Sequence, residues 1–486
     1  MGRNEMKVAK QNINELFMKK KNTVFLTLAG SFFAGAQVPQ PMNVLFIMSD
    51  DLNTDLGCYG HPLVKTPYLD RLAQQGMMFT HAYCQFPLSG PSRASMLTGL
   101  RPEKTNMCIN ETNFREALPD VITLPQLFMK HGYVTGRAGK IFHYGVPSEI
   151  GTDGHDDTIS WNIRVNPKGR DKYEENKLIN YTPSASLGIA PAWLAAEGTD
   201  EEQTDGMVAT EVIKMMAQNK DKPFFIAAGF FRPHCPYIAP KKYFDLYPLD
   251  SIRLPQTPPD DLNDVPELAQ HKALHTKLTP EQQKYIHRAY YASISFMDAQ
   301  VGRLLNALDS LGLSKKTIVV FMGDNGYMLG EHFLWTKFLL FEKSVRVPLI
   351  IYHPGLACQS HATDEIVELL DVYPTLAFWC GLTSTHRLDG DNLHCFFENH
   401  PEKWQKKSAV SVVSRPNPPV DNTKPNWGYT YRGKSIRTSR WRYTEWDQGA
   451  SGTELYDHAS DPGEFTNLRG RKEFKKTIEK LKKEFR

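Results

Sequence analysis

The sequence predicts an α/β fold with a mostly parallel sheet, and three observations support this prediction. Short apolar runs alternate with longer stretches of helical periodicity between residue 40 and about residue 382. The runs are continuous, which is typical of strands buried on both faces of a sheet. Polar residues directly follow three of the runs, where open α/β sheets bind their ligands. With 486 residues, the chain is also long enough for a second, smaller unit.

Four apolar runs predict buried strands. They are residues 43–48, 224–231, 317–322 and 347–352. Between the first two runs, Thr66 and Pro67 predict the start of a helix that continues through Gln75 and ends at Gly76. A long helix is predicted from Thr279 to Gly312, because apolar residues recur there near helical spacing.

The pattern changes in the polar stretch at residues 399–407. After residues 409–414 and a stretch rich in Pro, Asn and aromatic residues, residues 434–438 and 441–446 predict strands of an antiparallel sheet. A basic helix is expected from about residue 472 to residue 486. We therefore predict a catalytic domain over residues 37–400 and a C-terminal α+β subdomain over residues 401–486. Residues 1–36 are expected to be an N-terminal extension followed by a signal peptide.

The net charge and the N-terminal segment indicate which classes of protein the chain can belong to. The chain has 57 lysines and arginines and 54 aspartates and glutamates, so its net charge of +3 gives no indication of nucleic-acid binding. No internal run predicts a membrane span. The basic residues 19–21, the apolar run 23–35 and the small residues 34–36 match the three parts of a secretory signal peptide, so we expect export, with a mature start near Gln37. The alternative is a buried N-terminal helix.

Four oxygen-bearing side chains follow two of the predicted strands: Asp50, Asp51, Asp324 and Asn325. Three carboxylates close together would repel one another unless a cation lay between them, and hard oxygen ligands select Ca²⁺ or Mg²⁺. Either pair alone could instead cap a helix or form a turn. Because both pairs follow buried strands, the sequence predicts a metal site.

A second cluster begins at Ser89 and reads Ser-Gly-Pro-Ser-Arg, followed by Ala-Ser-Met-Leu-Thr-Gly. In this context it resembles the signature of the type I sulfatases, in which a Cys or Ser at the first position is converted to formylglycine. The alternative, a turn and a helix start, explains the residues but not their order. The resemblance implies an alkaline-phosphatase-like α/β sandwich with a smaller C-terminal subdomain.

The resemblance covers nearly the whole mature chain. Gly139–His143 resembles the family's Lys/His segment, Pro233-His234 its second histidine, and residues 323–337 its second metal segment and last lysine. The segments GKIFHYG, RPHCPY, DAQVGRLL, GEHFLWTK and SIRTSRWRYTEW are more narrowly similar to the iduronate-2-sulfatases.

The resemblance also implies a role for each residue. Ca²⁺ is expected on Asp50, Asp51, Ser89, Asp324 and Asn325. Formylglycine made from Ser89 is expected to provide the nucleophile, with Arg93 orienting it and His143 acting as its base. Lys140 and Lys337 are expected to clamp the sulfate, and His234 to protonate the leaving alcohol. For each Lys or His alone, a solvated or core position is the usual alternative.

Two positions depart from the commonest pattern. Residue 89 is Ser, whereas many sulfatases have Cys; Ser is either native and oxidised by an anaerobic-type maturase, or a replacement. Asn325 matches most sulfatases, whereas iduronate-2-sulfatases tend to have His there. Asn325 therefore favours Ca²⁺ binding but weakens the narrower resemblance.

The expected function is an exported, periplasmic sulfatase. It would remove the 2-O-sulfate of a terminal uronic acid in heparin, heparan or chondroitin/dermatan sulfate fragments. Its expected partners are that oligosaccharide and a formylglycine-generating maturase, with no nucleic acid and no membrane. Alternatives are other regiochemistry (6-O- or N-sulfoglucosamine), a phosphonate or phosphodiester hydrolase of the same superfamily, and a silent sugar-binding protein. Trp335, Trp427 and Tyr429 are expected either to line the uronate subsite or to pack between subdomains.

Overall fold

The computed structural model describes residues 41–272, 276–356, 361–417 and 420–485. The predicted signal peptide lies outside the described residues. The strands, in chain order, are β1 (Asn43–Asp50), β2 (Met77–Tyr83), β3 (Val134–Gly139), β4 (Ile163–Val165), β5 (Ile179–Asn180), β6 (Ala192–Ala196), β7 (Phe224–Pro233), β8 (Tyr237–Pro240), β9 (Thr317–Gly323), β10 (Met328–Leu329), β11 (Trp335–Thr336), β12 (Arg346–Tyr352), β13 (Ala362–Glu368), β14 (Ser408–Pro416), β15 (Tyr429–Thr438), β16 (Trp441–Trp446) and β17 (Thr453–Asp457).

Helices connect and cover these strands. The longer ones are α1 (Pro67–Gln75), α2 (Ser89–Thr98), α3 (Leu124–Lys130), α4 (Thr204–Gln218), α5 (Pro280–Ser310), α6 (Val372–Trp379) and α7 (Lys475–Glu484). Single helical turns occur at Pro102–Thr105, Phe114–Ala117, Arg170–Tyr173, Lys241–Phe244, Glu267–Gln270 and Glu342–Val345.

An eight-stranded sheet has the order β13-β2-β12-β9-β1-β7-β3-β4. β1 lies at its centre and pairs in parallel with β7 and β9, so that Val44 faces Phe225 on one side and Ile318 on the other. The four apolar runs form β1, β7, β9 and β12, as predicted. β12 is antiparallel to both of its neighbours, so the sheet is mixed but mostly parallel. The predicted α/β fold class is confirmed.

Each face of this sheet is covered by its own hydrophobic core. Phe46 and Met48 of β1 belong to one core, which α2, α3 and α6 cover. Leu45 and Ile47 belong to the other, which α1, α4 and α5 cover. Because successive side chains of a strand point to opposite faces, a continuous apolar run is what a strand between two helical layers requires.

The helix starts follow local chemistry. α5 begins with a capping box, in which the Thr279 hydroxyl accepts from the Gln282 N–H and the Gln282 side chain accepts from the Thr279 N–H. α1 has the predicted bounds, but the Thr66 hydroxyl donates to the Asp70 carboxylate at 2.9 Å and makes no cap bond. The sequence predicts a helix that starts at Ser92-Arg93 and places residue 89 before it, and this start is wrong by three residues. Ser89 is the first residue of α2, because the backbone is extended up to Leu88 and becomes helical at Ser89.

The C-terminal part forms a four-stranded antiparallel sheet in the order β14-β15-β16-β17. Both predicted strands lie within it, as parts of β15 and β16. α7 covers it and contributes Leu481 to a small separate core with Ile436, Tyr443 and Leu455. α7 begins at Lys475 and not near residue 472, because Lys472–Phe474 form a 3₁₀ turn. The 400/401 domain boundary stays a prediction.

Two further features concern membrane spans and cysteines. Within the described ranges, no helix has both the length and the apolar character needed to cross a bilayer. The described cysteines are free thiols: Cys58, Cys84, Cys108, Cys235, Cys380 and Cys395. Cys358 lies outside the described residues.

Candidate active site

Four neighbouring parallel strands end at one edge of the large sheet. The order is β9-β1-β7-β3, and each strand is followed by predicted site residues. Asp50 ends β1 and Asp51 follows it; Lys140 follows β3, His234 follows β7, and Asp324 follows β9. The prediction that polar groups after separate strands share one site is therefore confirmed by the chain's topology.

Two glycines allow the ends of β3 and β7 to approach closely. Gly139 has a φ of +74°, and a Cβ there would lie 2.1 Å from the Gly229 carbonyl oxygen. A Cβ on Gly229 would lie 2.1 Å from the Lys140 carbonyl oxygen. Both contacts are far inside van der Waals distance. Only glycine at these positions therefore lets the Lys140 backbone lie against β7.

Asp50 is the most heavily paired acid of the site. Its Oδ2 accepts from Lys140 Nζ at 2.7 Å, and its Oδ1 accepts from Arg93 Nη2 at 3.2 Å and from Ser89 Oγ at 2.9 Å. Burial alone would raise its pKa, but the positive charges of Lys140, Arg93 and Lys337 outweigh burial and hold the pKa well below the ordinary value. Asp50 is therefore a carboxylate at neutral pH.

Asp51 faces the opposite cation. Both of its oxygens accept from Lys337 Nζ, at 2.6 and 2.7 Å, and Oδ1 also accepts from Asn325 Nδ2 at 2.8 Å. The backbone at Asp51 has a φ of +58°, and its carbonyl accepts from the Tyr290 hydroxyl at 2.8 Å. Burial raises the pKa of Asp51, with Lys337 opposing and Asp50 adding to the rise. Burial thus disfavours the charged form of Asp51 more than Lys337 favours it.

Asp324 and Asn325 complete the oxygen-bearing group. Asp324 Oδ1 accepts from the backbone N–H groups of Asp51 and Asn325, at 3.0 and 2.8 Å, and its Oδ2 accepts from Arg93 Nε at 2.7 Å. Burial raises the pKa of Asp324 to about 6, with Arg93 opposing. Asn325 Oδ1 lies 3.4 Å from Ser89 Oγ, so its carbonyl oxygen faces the centre of the site.

Ser89 lies where these groups meet, at the first turn of α2. It is fully buried, and Lys337 Nζ lies 3.5 Å from its hydroxyl oxygen. The positive end of the α2 helix dipole favours an anion at this place. Arg93, one turn along, donates Nη1 to the Lys140 and Ile141 carbonyls, so it also joins α2 to the segment after β3.

The two histidines differ in how they are held. His234 Nδ1 bonds the Cys235 carbonyl, which leaves Nε2 facing Asp51 Oδ2 at 3.4 Å. His143 Nδ1 is buried and has no hydrogen-bond partner among the described residues. Burial holds the pKa of both rings well below the ordinary value; Lys140 adds to this at His143, and Lys337 at His234. Both imidazoles are therefore neutral at pH 7.

The three carboxylates fit a divalent cation. Asp50, Asp51 and Asp324 each offer an oxygen, and these oxygens lie within 4.8 Å of one another. The Asn325 carbonyl oxygen supplies a fourth hard donor beside them. All four ligands have the oxygen chemistry that Ca²⁺ and Mg²⁺ require.

The structure brings the predicted catalytic and metal residues together at this edge, where Lys140 and Asp50 act electrostatically on His143. Sequence reasoning missed three supporting residues. Tyr290, expected as a core residue of α5, holds the Asp51 carbonyl. Ser92 Oγ donates to the Asp324 carbonyl, and Asn110 Oδ1 accepts from the Gly90 N–H at 2.9 Å. Periodicity places such residues on an element but carries no signal for these long-range contacts.

The remaining predicted residues lie in several settings. Trp335 is buried, with its ring 6.3 Å from that of His287, and Trp427 is half-buried. Tyr429 is half-buried, and its ring lies 6.4 Å from that of Phe338, next to Lys337 in the chain. His332, which the sequence left without a role, pairs with Asp261 at 2.8 Å.

Comparison with known proteins points in the same direction. A family model described as Sulfatase matches residues 42–382, and one described as N-sulphoglucosamine sulphohydrolase, C-terminal, matches residues 330–486. The chain is 33% identical over 471 residues to the iduronate 2-sulfatase of Homo sapiens, covering 83% of this chain and 85% of that protein.

Two solved structures share the fold. The phosphonate monoester hydrolase of Agrobacterium radiobacter matches with a TM-score of 0.75 and 24% identity, over 91% of this chain and 94% of that one. A 2-O GAG sulfatase matches with a TM-score of 0.70 and 23% identity, over 92% of this chain and 91% of that one. At these identities the matches support the fold alone.

Proposed function

Because this chain belongs to the sulfatase family, and so hydrolyses sulfate esters, we propose that its substrate is the 2-O-sulfate ester of a terminal uronic acid in glycosaminoglycan fragments. The observation that carries the chemistry is Ser89, buried at the start of α2 within 3.5 Å of Asp50, Asn325 and Lys337. The similarity to iduronate 2-sulfatase over 83% of this chain supports the choice of ester.

The cations of the site are arranged to bind sulfate. Arg93, Lys140 and Lys337 balance the three carboxylates, so a divalent cation would leave the site with a net positive charge of about two. We assign that cation as Ca²⁺, held by Asp50, Asp51, Asp324, Asn325 and residue 89, where it would withdraw charge from the sulfate oxygens. Lys140 and Lys337 then hold the sulfate as point charges.

Sulfatases generally use a formylglycine, and residue 89 is the position for it here. Its hydrate would supply a hydroxyl nucleophile for sulfur and a second hydroxyl for the release of sulfate. Arg93 fixes the turn that presents residue 89, because it binds Asp50 and Asp324 at once. A maturase that oxidises Ser89 is therefore a required partner.

The two neutral histidines are suited to proton transfer. We assign His143 as the base that acts on the nucleophile in the second half of the reaction. His234 donates its Nδ1–H to the Cys235 carbonyl, so its Nε2 is free to face the leaving alcohol and protonates it as the imidazolium, the form that a bound anionic sulfate ester favours. Lys337, on the same carboxylate as His234, supports that proton donation.

The activity is tested with an unsaturated 2-O-sulfated uronate disaccharide and its 6-O-sulfated isomer. The protein carries Ser89→Cys, is made in a host that matures cysteine, and is checked for formylglycine by peptide mass. We expect sulfate release from the 2-O isomer only. Ser89→Ala, which cannot be matured, is the matched control and should release none. Release from the 6-O isomer alone, or from neither, would contradict the assigned ester.

A sulfatase acting on N- or 6-O-sulfated glucosamine is the second candidate. The family model over residues 330–486 is named for N-sulphoglucosamine sulphohydrolase, which favours it. Including N-sulfated glucosamine in the same assay separates the two candidates. An aryl phosphodiester tests the third, a hydrolase like the phosphonate monoester hydrolase that shares the fold.

Calcium binding has its own test. Adding Ca²⁺ to chelator-treated protein should raise the melting temperature, because a ligand at 100 times its Kd stabilises the folded state by about 2.7 kcal/mol. Asp324→Asn should remove most of this rise. Asp245→Asn, at an exposed pair with Lys241, should retain it. An equal rise in both variants would contradict the assigned ligands.

We further propose that the protein is exported and works in the periplasm. The proposal is based on the order of basic, apolar and small residues over residues 19–36. Terminal sequencing of the mature protein should find Gln37 first. An intact N-terminus on exported protein would contradict it.

A further inference from the structure

Arg415, next to the end of β14, is a buried arginine without an acidic partner in the described chain. It is 3% exposed. The other buried arginines all have a carboxylate within ion-pair distance: Arg93, Arg137, Arg232, Arg437 and Arg442. A buried charge without a counter-charge is costly, so it indicates either a compensating contact or a missing anion.

The contacts of Arg415 compensate it only in part. Nε donates to the Leu268 carbonyl at 3.0 Å and Nη1 to the Ser414 carbonyl at 2.9 Å. Nη2 has no hydrogen-bond partner among the described residues. The guanidinium lies 5.0 Å from the ring centre of Phe338 and 5.1 Å from that of Trp446. Burial lowers the pKa of Arg415 to about 9, so it still carries its charge at neutral pH.

Phe338 and Ser414, which both lie next to Arg415, also contact the chain that flanks Ser89. Phe338 directly follows Lys337, and its N–H donates to the Pro87 carbonyl at 2.8 Å. Ser414 Oγ donates to the Cys108 carbonyl at 2.6 Å. The Cys108 segment continues to Asn110, which binds the Gly90 N–H. Residues 87 and 90 lie on either side of residue 89, so Phe338 and Ser414 connect Arg415 to the chain on both sides of Ser89.

We propose that Arg415 binds a second anionic group of the substrate, the carboxylate of the uronic acid whose sulfate faces Ser89. This inference rests on the proposed function and explains how it selects a uronate. A guanidinium is planar and matches a carboxylate, and Nη2 is its unused donor. Because Nη2 is shielded from solvent, the side chains that cover it have to move when the carboxylate binds. Such side-chain movement is common on binding. The ring of Phe338 offers the flat surface beside it.

The competing explanation is a structural one, in which Arg415 is held by its two aromatic neighbours for stability. The two explanations predict opposite effects on stability. Replacing an uncompensated buried charge by an apolar side chain of similar length should leave the melting temperature unchanged or raise it. Loss of a structural cation–π contact should lower it.

The test compares Arg415→Met with the parent protein, both carrying matured residue 89. With the 2-O-sulfated uronate disaccharide, we expect kcat/KM to fall about 30-fold or more, mainly through KM, as for one partner of a buried charge pair. With an aryl sulfate, which has no carboxylate, it should change less than about 3-fold. Arg432→Met, at a part-exposed pair with Asp447 on the same sheet, is the matched control and should leave both unchanged.

The remaining outcomes also decide the question. Equal losses on both substrates, no loss on either, or a lower melting temperature of Arg415→Met would overturn the assignment. If the parent protein does not cleave the 2-O-sulfated disaccharide, the proposed function fails, and Arg415 is then judged separately. The non-sulfated uronate disaccharide should inhibit aryl sulfate turnover by the parent protein but not by Arg415→Met. Absence of that difference overturns the role of Arg415.

Discussion

Arg93 joins the Asp50-Asp51 pair and the Asp324-Asn325 pair into one site. Its single guanidinium binds Asp50, at the end of β1, and Asp324, after β9, and it also holds the carbonyls of Lys140 and Ile141. A lysine could supply the charge but not this set of directed bonds. The geometry around Ser89 therefore depends on an arginine at this position.

His332 gives a residue-level prediction outside the acidic centre. Its ring stacks on Phe341 at 4.1 Å, and Nδ1 lies 2.8 Å from Asp261 Oδ2. Burial acts to lower the pKa of His332, but the bond to Asp261 outweighs it, and the pKa is raised above 6.5. A raised pKa means that the protonated ring stabilises the fold fully below pH 6.5, and that this is lost as pH rises through the folded pKa.

The melting temperature of wild type should therefore exceed that of His332→Gln most clearly below pH 6.5, and the difference should shrink towards alkaline pH. His400→Gln, at an exposed pair with Glu402, serves as the control with little difference at any pH. A difference that is constant from pH 5 to pH 9 would show that protonation of His332 does not contribute.

At the residue scale, sequence reasoning could identify the acids, Ser89 and the basic residues, because motifs keep their order along the chain. It could not find Arg415 or Tyr290. Both act through contacts across the fold, with Phe338 and Asp51 respectively, and no local pattern encodes such a contact. Long-range partners depend on how elements dock, which one sequence does not specify.

At the scale of the elements, the glycine pair between β3 and β7 positions Lys140. Gly229→Ala would place a methyl group 2.1 Å from the Lys140 carbonyl, so the two strands would have to separate. We expect a loss of about 1–3 kcal/mol in unfolding free energy. A shift of Lys140 by about 1 Å would lower kcat by about 100-fold.

Chemical denaturation and turnover of an aryl sulfate measure the two effects. Gly470→Ala, where a Cβ meets nothing within 4 Å, is the control and should change neither. Normal activity in Gly229→Ala would mean that strand spacing does not position Lys140.

The elements themselves were largely predictable. The buried strands and α5 have strong local signals, namely continuous apolar runs and a capping box. Two starts were missed, at α2 and α7, because helix ends depend on backbone geometry that several residue types allow. The antiparallel direction of β12 also carries no local signal, since its composition resembles that of its parallel neighbours.

For the whole molecule, the alkaline-phosphatase-like fold that the resemblance implied is confirmed by the structural matches. What the sequence could not give is the attachment of the C-terminal sheet. Glu342, five residues after Lys337, accepts from Arg437 of β15 and Arg442 of β16. Its backbone N–H donates to Glu464 at 2.7 Å. This buried cluster links the Lys337 segment to the C-terminal sheet.

Glu342→Gln should therefore destabilise the protein by about 3–5 kcal/mol, because two buried guanidiniums lose part of their counter-charge. Asp245→Asn, which breaks an exposed pair with Lys241, should cost less than about 1 kcal/mol. Urea unfolding of both variants measures the difference. Equal small losses would mean that the cluster contributes little to holding the C-terminal sheet.

The complete burial of Ser89 sets an order of events in the life of the chain. A modifying enzyme must reach the hydroxymethyl group and the backbone around it, and α2 and the sheet edge enclose both. The oxidation that we propose for this residue therefore has to take place on newly made, still extended chain. Each molecule that folds before it is modified would remain inactive for its lifetime. The yield of active protein therefore depends on the rate of maturation relative to the rate of folding.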